Sequence, residues 1–436
     1  SAWRWTAMLA ALVAVASVPV LRWSWTPVLL AGALLTLVPL AVTGHSSSGG
    51  AHDIAANSLM IHMVAAALWA GGLLALLAHA VRRGDHTHLA ARRFSAVALW
   101  CFVAVAVTGV VNGAVRIAPS DILDSTYGRL LAVKALALCG LGVLGWRQRR
   151  SAVRSLQSDP SARVPFLRLA LTEAAVFAAT FGVAVGLGRT PPPAARREPT
   201  PAEVAIGFDL AEPPTVSLVL LNWRFDLIFG TAAIVLALMY LAGVYRLRQR
   251  GASWPPRRTC WWVLGCTAML FVTSSGLGSY VSAMFSVHML VQVAMTMVVP
   301  ILLVLGAPVT LTLQALRPSA DRGSPGPREW LLTALHSPWA RVLTFPGTAL
   351  LLFVGGGYGL YFTGAFGGAV ADHTTHVLMT GYWLLSGTLF FWVVLGAEPS
   401  PHRVSVIARM ATAIAGLLQW VWIGMVLRDR QDVLGE

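Results

Sequence analysis

The chain has 436 residues, of which 56% are hydrophobic and only 11% are charged, and its net charge is +14. Soluble domains carry roughly 25% charged residues, so a chain this poor in charge cannot cover a water-facing surface, which excludes a soluble globular protein. The positive charge could suit nucleic-acid binding. Here, however, the arginines lie in short segments between apolar stretches, as in membrane proteins, so we expect no nucleic-acid partner.

Long apolar stretches follow one another along the whole chain. A bilayer core of about 30 Å needs about 20 apolar residues in helical form. We predict an all-α fold: a polytopic transmembrane helix bundle in the lipid bilayer, with about twelve spans arranged as two six-span halves. The predicted spans cover residues 5–21, 25–43, 57–81, 94–117, 127–146, 165–188, 222–245, 259–276, 284–306, 339–362, 373–396 and 404–427.

The longest connection between apolar stretches, residues 189–221, is rich in proline and acidic residues. Such a composition is typical of a boundary between domains. We therefore predict a membrane domain over 1–188, an outer linker over 189–221 and a second membrane domain over 222–436. The sequence enters an apolar stretch directly after Ser1 and has no initiator Met. We expect that an N-terminal part is missing, and that residues are also missing near the C-terminal end.

Loop charge predicts the orientation of the chain in the membrane. With the N-terminus outside, about 22 arginines fall on the inner side and about 9 on the outer side. Positive residues concentrate on the cytoplasmic side of membrane proteins. We therefore predict a multi-pass protein of the bacterial inner membrane with the N-terminus of this sequence outside.

Six histidines fall on the predicted outer side, several of them at the start of a span. Methionines flank two of them, and nearby acids are few. Imidazole with thioether suits copper, and thioether favours Cu(I). The predicted metal ligands are His62, Met284, His288, Met289, His373 and His376, with His45, His52, Met60 and Met63 as possible accessory ligands.

Helical spacing supports two of these groupings. His373 and His376 are three residues apart, and Met284 and His288 are four apart, so each pair would share a helix face. The alternative is that these are interfacial histidines and ordinary core methionines. His45 and His52 lie in a loop rich in Ser and Gly, where they would be either mobile copper collectors or plain loop residues.

Two further features concern residues inside the predicted spans. Lys134 and Glu173 are ionisable residues within apolar stretches, where such groups are costly and often functional. They would form either a structural ion pair or part of an ion pathway. The four cysteines form no CxxC motif, and we interpret them as small apolar core residues.

Three motifs mark the first half of the chain: residues 62–72 (HMVAAALWAGG), residues 108–112 (TGVVN) and residues 127–134 (YGRLLAVK). Together they resemble the CopD family of copper-resistance membrane proteins. The resemblance covers about residues 40–150.

A second set of motifs marks the second half of the chain. They are residues 223–226 (WRFD), 273–278 (TSSGLG), 284–289 (MFSVHM), 300–310 (PILLVLGAPVT) and 358–363 (YGLYFT), followed by His373 and His376. These motifs resemble the multi-span CtaG family of cytochrome c oxidase assembly proteins. The resemblance covers about residues 222–400, and one departure is Gln292, which stands where the family usually has a second histidine.

A CopD-like half followed by a CtaG-like half resembles a fused protein of the actinobacterial type. The resemblance implies copper handling at the outer face of the inner membrane, by transport or by delivery of copper for cytochrome c oxidase assembly. Partners would be oxidase subunits or a periplasmic copper chaperone. Copper, as Cu(I), would bind transiently, and no enzyme activity is expected.

Two other classes of function stay open. One is a metal-free membrane scaffold in oxidase assembly. The other is an electron-transfer protein binding haem b, which requires paired axial histidines at matching depth on facing helices.

Overall fold

The computed structural model describes residues 2–17, 25–37, 51–152, 163–193, 200–210, 212–213, 215–319, 325–402 and 404–429. All regular elements in these ranges are helices. The chain divides into two compact units, residues 1–209 and 210–436. The division falls within the proline-rich segment 189–221.

The first unit contains seven α-helices among its described residues. They are α1 (Ala2–Ser17), α2 (Thr26–Leu35), α3 (His52–Val81), α4 (Thr87–Arg116), α5 (Thr126–Arg147), α6 (Arg163–Arg189) and α7 (Pro201–Ile206). Helix α3 packs against α4 and α6, and α5 packs against α6. The Trp69 ring is central to their core, with edge contacts to Phe102 and Phe177 at centroid distances of 5.8 and 4.8 Å.

The second unit begins with α8 (Val216–Leu221), α9 (Phe229–Gln249), α10 (Pro256–Ser274) and α11 (Gly276–Tyr280). Next comes a continuous helical rod made of α12 (Phe285–Val293), a π-helical turn (Ala294–Val298) and α13 (Val299–Leu305). The remaining helices are α14 (Pro308–Ala315), α15 (Pro327–Leu335), α16 (Pro338–Leu343), α17 (Pro346–Tyr361), α18 (Ala365–Ala371), α19 (His373–Leu395) and α20 (Val406–Asp429).

Helix α19 is the centre of the second unit. It packs against α13 and the π-turn on one side and against α17 and α20 on others. A Cβ atom at Gly387 would lie 2.0 Å from the Thr296 carbonyl oxygen, so only glycine permits this close approach of α19 to the π-turn. On the α17 side, Phe353 stacks on Phe390 with centroids 3.9 Å apart. The α12 rod and α19 are therefore held at a fixed register.

Within the described residues, eight helices are long and apolar enough to cross a membrane, rather than the predicted twelve. The predicted spans 5–21 and 25–43 are represented by shorter apolar helices, and parts of both lie outside the described residues. The predicted span 259–276 is α10, which opens with Arg257 and Arg258 and is less apolar. The predicted span 339–362 is divided, because Pro346 begins a new helix after α16. The chain is a multi-pass helical membrane protein.

A tight turn joins α13 to α14. Ala307 adopts a left-handed conformation, and Glu398, from the segment after α19, caps the start of α14. Its carboxylate accepts hydrogen bonds from the amides of Val309 and Thr310 at 2.7 and 3.0 Å and from the Thr310 hydroxyl at 2.6 Å. Tyr240 donates to the Gly306 carbonyl oxygen at 2.7 Å. These bonds satisfy backbone groups that a helix break would leave unpaired.

Candidate functional site

A small cavity in the second unit lies between the α12 rod and α19. Its volume is about 10 Å³, enough for roughly one water molecule or one ion. Among the described residues, the lining contains no acidic side chain. The lining residues are Val281, His288, Val291, Gln292, Met295, His376, Met379, Thr380 and Trp383.

Two imidazoles lie next to each other at this cavity, with their ring planes inclined at 61°. His288 lies in the first turn of α12 and His376 in the first turn of α19, and their ring centroids are 6.1 Å apart. A transition metal lies about 2.0 Å from an imidazole nitrogen, so this separation has room for one ion between the rings. Within the described part of the chain, His288 Nδ1 and His376 Nε2 are buried and have no hydrogen-bond partner. Both nitrogens are therefore available to a ligand.

Aromatic side chains fix the His288 ring. Phe366 contacts it edge-on at 5.1 Å between centroids, and Phe285 stacks nearly parallel at 6.3 Å. The other ring nitrogen, Nε2, lies 3.2 Å from the Tyr361 hydroxyl, which also hydrogen-bonds Gln292 Oε1. The imidazole is consequently held with Nδ1 as its free nitrogen.

The thioethers at the cavity differ from those predicted. Met295 and Met379 line it, whereas Met284 and Met289 do not. Met284 is the residue before α12 and has an extended backbone, with φ −135° and ψ 121°. The spacing of four residues from His288 therefore does not place the two side chains on one helix face. His373, the first residue of α19, is also absent from the lining.

His62 lies in the first unit, away from this cavity. Its Nδ1 is 2.9 Å from the Thr108 hydroxyl on α4, and Gly109 lies alongside the ring. Lys134 on α5 is close enough to His62 for an electrostatic interaction. Residues from all three CopD-like motifs thus meet around one imidazole.

Glu173 is a buried carboxyl in the core of the first unit, only 1% exposed. In the described part of the chain it pairs with Trp69, whose indole N–H donates to Oε1 at 3.2 Å, and no ion pair with Lys134 forms. The second carboxyl oxygen, Oε2, has no hydrogen-bond partner there. The alternative of a structural Lys134–Glu173 pair therefore finds no support in the geometry.

The predicted accessory ligands are His45, His52, Met60 and Met63, and none of them lines the described cavity. His45 lies outside the described residues, and His52 is the first residue of α3. Met60 and Met63 are half-buried on α3. Across the described ranges, no group of three or more His, Cys, Asp or Glu side chains converges as a metal site. The cavity therefore offers a donor set of two imidazoles and two thioethers, which fits Cu(I).

The sequence contains a signal for the residues that were not predicted. Met379 is three residues after His376, and Met295 is seven residues after His288, so each methionine shares a helix face with its histidine. Tyr361 gives no comparable signal, because it lies 73 residues from His288 in sequence and only the folded unit brings the two side chains together.

Comparison with known protein families gives two matches on this chain. Residues 238–436 match Caa3_CtaG, the cytochrome c oxidase caa3 assembly factor family. Residues 88–187 match CopD, the copper resistance protein D family. One segment of the chain is thus similar to the CopD family and another to the Caa3_CtaG family. The resemblances to the two families are therefore confirmed, with different bounds. The CopD match begins at residue 88 and leaves out the motif at 62–72, and the Caa3_CtaG match begins after the motif at 223–226 and extends beyond residue 400 to residue 436.

Curated relatives come from mycobacteria. The uncharacterized proteins Mb0105 of Mycobacterium bovis and MT0111 of Mycobacterium tuberculosis are each 34% identical to this chain over 440 residues, covering 99% of it. Uncharacterized protein ML1998 of Mycobacterium leprae is 34% identical over 433 residues. The chain spans only 62–63% of the length of these relatives. No solved structure matches it.

Proposed function

We propose that the chain binds copper as Cu(I) in the cavity between α12 and α19 and passes it on during cytochrome c oxidase assembly, without catalysing a reaction. The observation that carries this proposal is the pair of His288 and His376: both line one cavity the size of one ion, their ring centroids are 6.1 Å apart, and each has a buried nitrogen without a hydrogen-bond partner. The similarity of one segment to a copper-resistance family and of the other to an oxidase-assembly family also supports copper as the ion.

The donor set favours Cu(I) over divalent ions. Thioether sulfur is a soft ligand that prefers Cu(I), and Met295 and Met379 supply it beside the imidazoles. Zn²⁺ and Cu²⁺ usually take additional nitrogen, carboxylate or thiolate ligands. The cavity lining offers no carboxylate or thiolate.

We further propose that this site opens toward the outer face of the bacterial inner membrane, in the orientation that places the N-terminus of this sequence outside. The arginine distribution supports that orientation. Copper would then arrive from a periplasmic copper chaperone and leave for an oxidase subunit. His62 of the first unit would serve as a separate capture site.

Cavity size weighs against the haem alternative. A space for about one water molecule does not accommodate a macrocycle between His288 and His376. A metal-free scaffold is the remaining alternative. It predicts that substitution of His288 or His376 leaves the copper content of the purified protein unchanged.

The deciding experiment is elemental analysis of detergent-purified protein after loading with Cu(I) and desalting. We expect stoichiometric copper in the wild type, loss of one equivalent in the double variant His288→Ala/His376→Ala, and little Zn²⁺ retention under the same protocol. His88→Ala/His336→Ala is the matched control, because it also removes two imidazoles, both of them exposed. Equal copper in the wild type and the His288/His376 variant would refute the site, and no copper in either would favour the scaffold.

A further inference from the structure

Three side chains from two helices form a continuous polar network beside the cavity. His288 and Gln292 are four residues apart on α12, and Tyr361 is the last residue of α17. The Tyr361 hydroxyl donates to Gln292 Oε1 and lies 3.2 Å from His288 Nε2. All three are almost fully buried, with exposures of 3%, 2% and 2% for His288, Gln292 and Tyr361.

The direction of these hydrogen bonds determines the tautomer of His288. A tyrosine hydroxyl has one proton, and here Gln292 Oε1 accepts it. The hydroxyl oxygen can then only accept from His288, so Nε2 must carry the imidazole proton. A neutral imidazole has a single N–H, and Nδ1 therefore presents a lone pair.

We propose that Tyr361, held by Gln292, is the positioning residue that fixes His288 in the Nε2–H tautomer and so makes Nδ1 the nitrogen that binds copper. The proposal rests on the proposed function for its purpose, but the tautomer itself is a property of the metal-free protein. The lack of a hydrogen-bond partner at Nδ1 agrees with this assignment. A buried lone pair without a donor costs less free energy than a buried N–H without an acceptor.

The network also explains why Gln292 suits this position. A histidine there would share a helix face with His288 and could bind the ion directly. Glutamine supplies instead a neutral acceptor for the tyrosine proton. In this chain His288 is thus the one imidazole on α12 that would bind the ion, and Tyr361 orients it.

The opposite arrangement is chemically possible and gives the test its second arm. If the Gln292 amide were turned so that its NH₂ group donated to Tyr361, the hydroxyl would donate to His288 Nε2. The imidazole proton would then sit on Nδ1, point into the cavity and obstruct binding. The two arrangements differ in which ring nitrogen carries hydrogen, which nitrogen NMR distinguishes.

The first measurement is ¹⁵N NMR of metal-free protein with labelled histidine, assigned with a His288→Asn variant. We expect the Nε2–H tautomer at His288 in the wild type. Tyr361→Phe should produce a mixture of tautomers, and Gln292→Leu should shift His288 toward Nδ1–H, because the hydroxyl is then left to donate to Nε2. An Nδ1–H tautomer in the wild type, or an unchanged tautomer in both variants, overturns the proposal.

The second measurement is Cu(I) affinity by competition with a chelator. Orienting partners of metal-bound histidines are worth about 10- to 100-fold in affinity, and we expect a loss of this size in each single variant. The double variant should be no weaker than either single one, because both act through one tautomer. Tyr240→Phe is the matched control: it also removes a buried, hydrogen-bonded hydroxyl of this unit but contacts no histidine.

The two measurements separate the two ideas. Unchanged affinity in Tyr361→Phe, with copper still bound stoichiometrically, overturns the positioning role and leaves the copper site intact. A wild type that binds no copper but shows the expected tautomer changes overturns the proposed function and upholds the tautomer assignment.

Discussion

Substitution of Glu398 tests whether the turn at the inner end of the α12–α13 rod depends on a single buried carboxylate. Glu398 is 7% exposed and accepts three hydrogen bonds from the start of α14. Glu398→Ala leaves two backbone amides and a hydroxyl without their acceptor. The Ala307 turn would then lose its cap, and the rod that carries His288 would lose an anchor at its far end.

The expected loss can be worked from these bonds. Hydrogen bonds to a charged group contribute about 1.5–3 kcal/mol each, and loss of a helix cap costs about 0.5–2 kcal/mol. Because the three bonds share one acceptor and do not add, we expect about 2–4 kcal/mol for Glu398→Ala. For a unit of this size, about 2–4 °C per kcal/mol gives a fall of about 4–16 °C in unfolding temperature. Glu398→Gln keeps one acceptor oxygen and should lose about half as much.

The assay is thermal unfolding in detergent, followed by circular dichroism and by the monodisperse fraction after heating. Glu329→Ala is the control. Glu329 also caps a helix, α15, by accepting from the amides of Ser319 and Gly326. It does so from a half-buried position, where water replaces the bonds more readily than at Glu398, so its variant should shift the unfolding temperature less. An unfolding temperature for Glu398→Ala within about 1 °C of the wild type would refute the reasoning.

The pH dependence provides a second check on Glu398, which lies outside the spans. Burial raises the pKa of its carboxyl, and the hydrogen bonds from Thr310 and Val309 only partly oppose this. The folded state therefore holds the proton more tightly than the unfolded state, where the pKa is about 4.3. The corresponding stability is complete below the unfolded pKa and is lost as pH rises through the folded one. The stability difference between wild type and Glu398→Gln should thus shrink as pH increases across that window.

Two further substitutions probe packing and intramembrane charge. Gly387→Ala should cost roughly 1–3 kcal/mol, because its Cβ would lie 2.0 Å from the Thr296 carbonyl oxygen. The control is Gly381→Ala on the same helix: its Cβ would meet nothing within 4 Å, and alanine has the higher helix propensity, so the unfolding temperature should stay equal or rise slightly. Glu173→Gln preserves an acceptor for the Trp69 indole and removes a buried ionisable group with an unpartnered oxygen, so the unfolding temperature should stay equal or rise; a clear fall would show that the fold needs the charge.

The sequence was sufficient to predict the class of fold and the two histidines that meet. The low content of charged residues indicated a membrane protein, and the hydropathy pattern located the long helices. Both predictions depend only on the composition of successive stretches of the chain. His288 and His376 were recognisable because each starts a helix on the same predicted side. Their adjacent placement follows from the register between the α12 rod and α19, which Gly387 and the π-turn set by contacts distant in sequence.

The predicted thioethers Met284 and Met289 do not line the described cavity, and for Met284 the reason is local. Helical spacing holds only within a helix, and Met284 precedes the first turn of α12. Toward the C-terminal side of each histidine the chain stays helical. Helical spacing therefore places Met295 on the same face as His288, and Met379 on the same face as His376. The roles of Tyr361 and Glu398 could not be predicted, because each acts across more than 70 residues of sequence on a backbone or ring that only the folded unit brings near.

The absence of acid at the lining of the described cavity bears on how a cation would be held and released. The cost of burying an ion in a low-dielectric medium rises with the square of its charge, so neutral imidazoles and thioethers hold a monovalent ion far more readily than a divalent one. His288 and His376 also lie in first helical turns, where the helix dipole is positive and opposes any cation. In the proposed site, soft ligands would therefore provide selectivity for Cu(I), while the missing counter-charge would limit its affinity. A site built in this way suits a cargo that must leave for a partner with stronger ligands, and a resident cofactor would require the opposite balance.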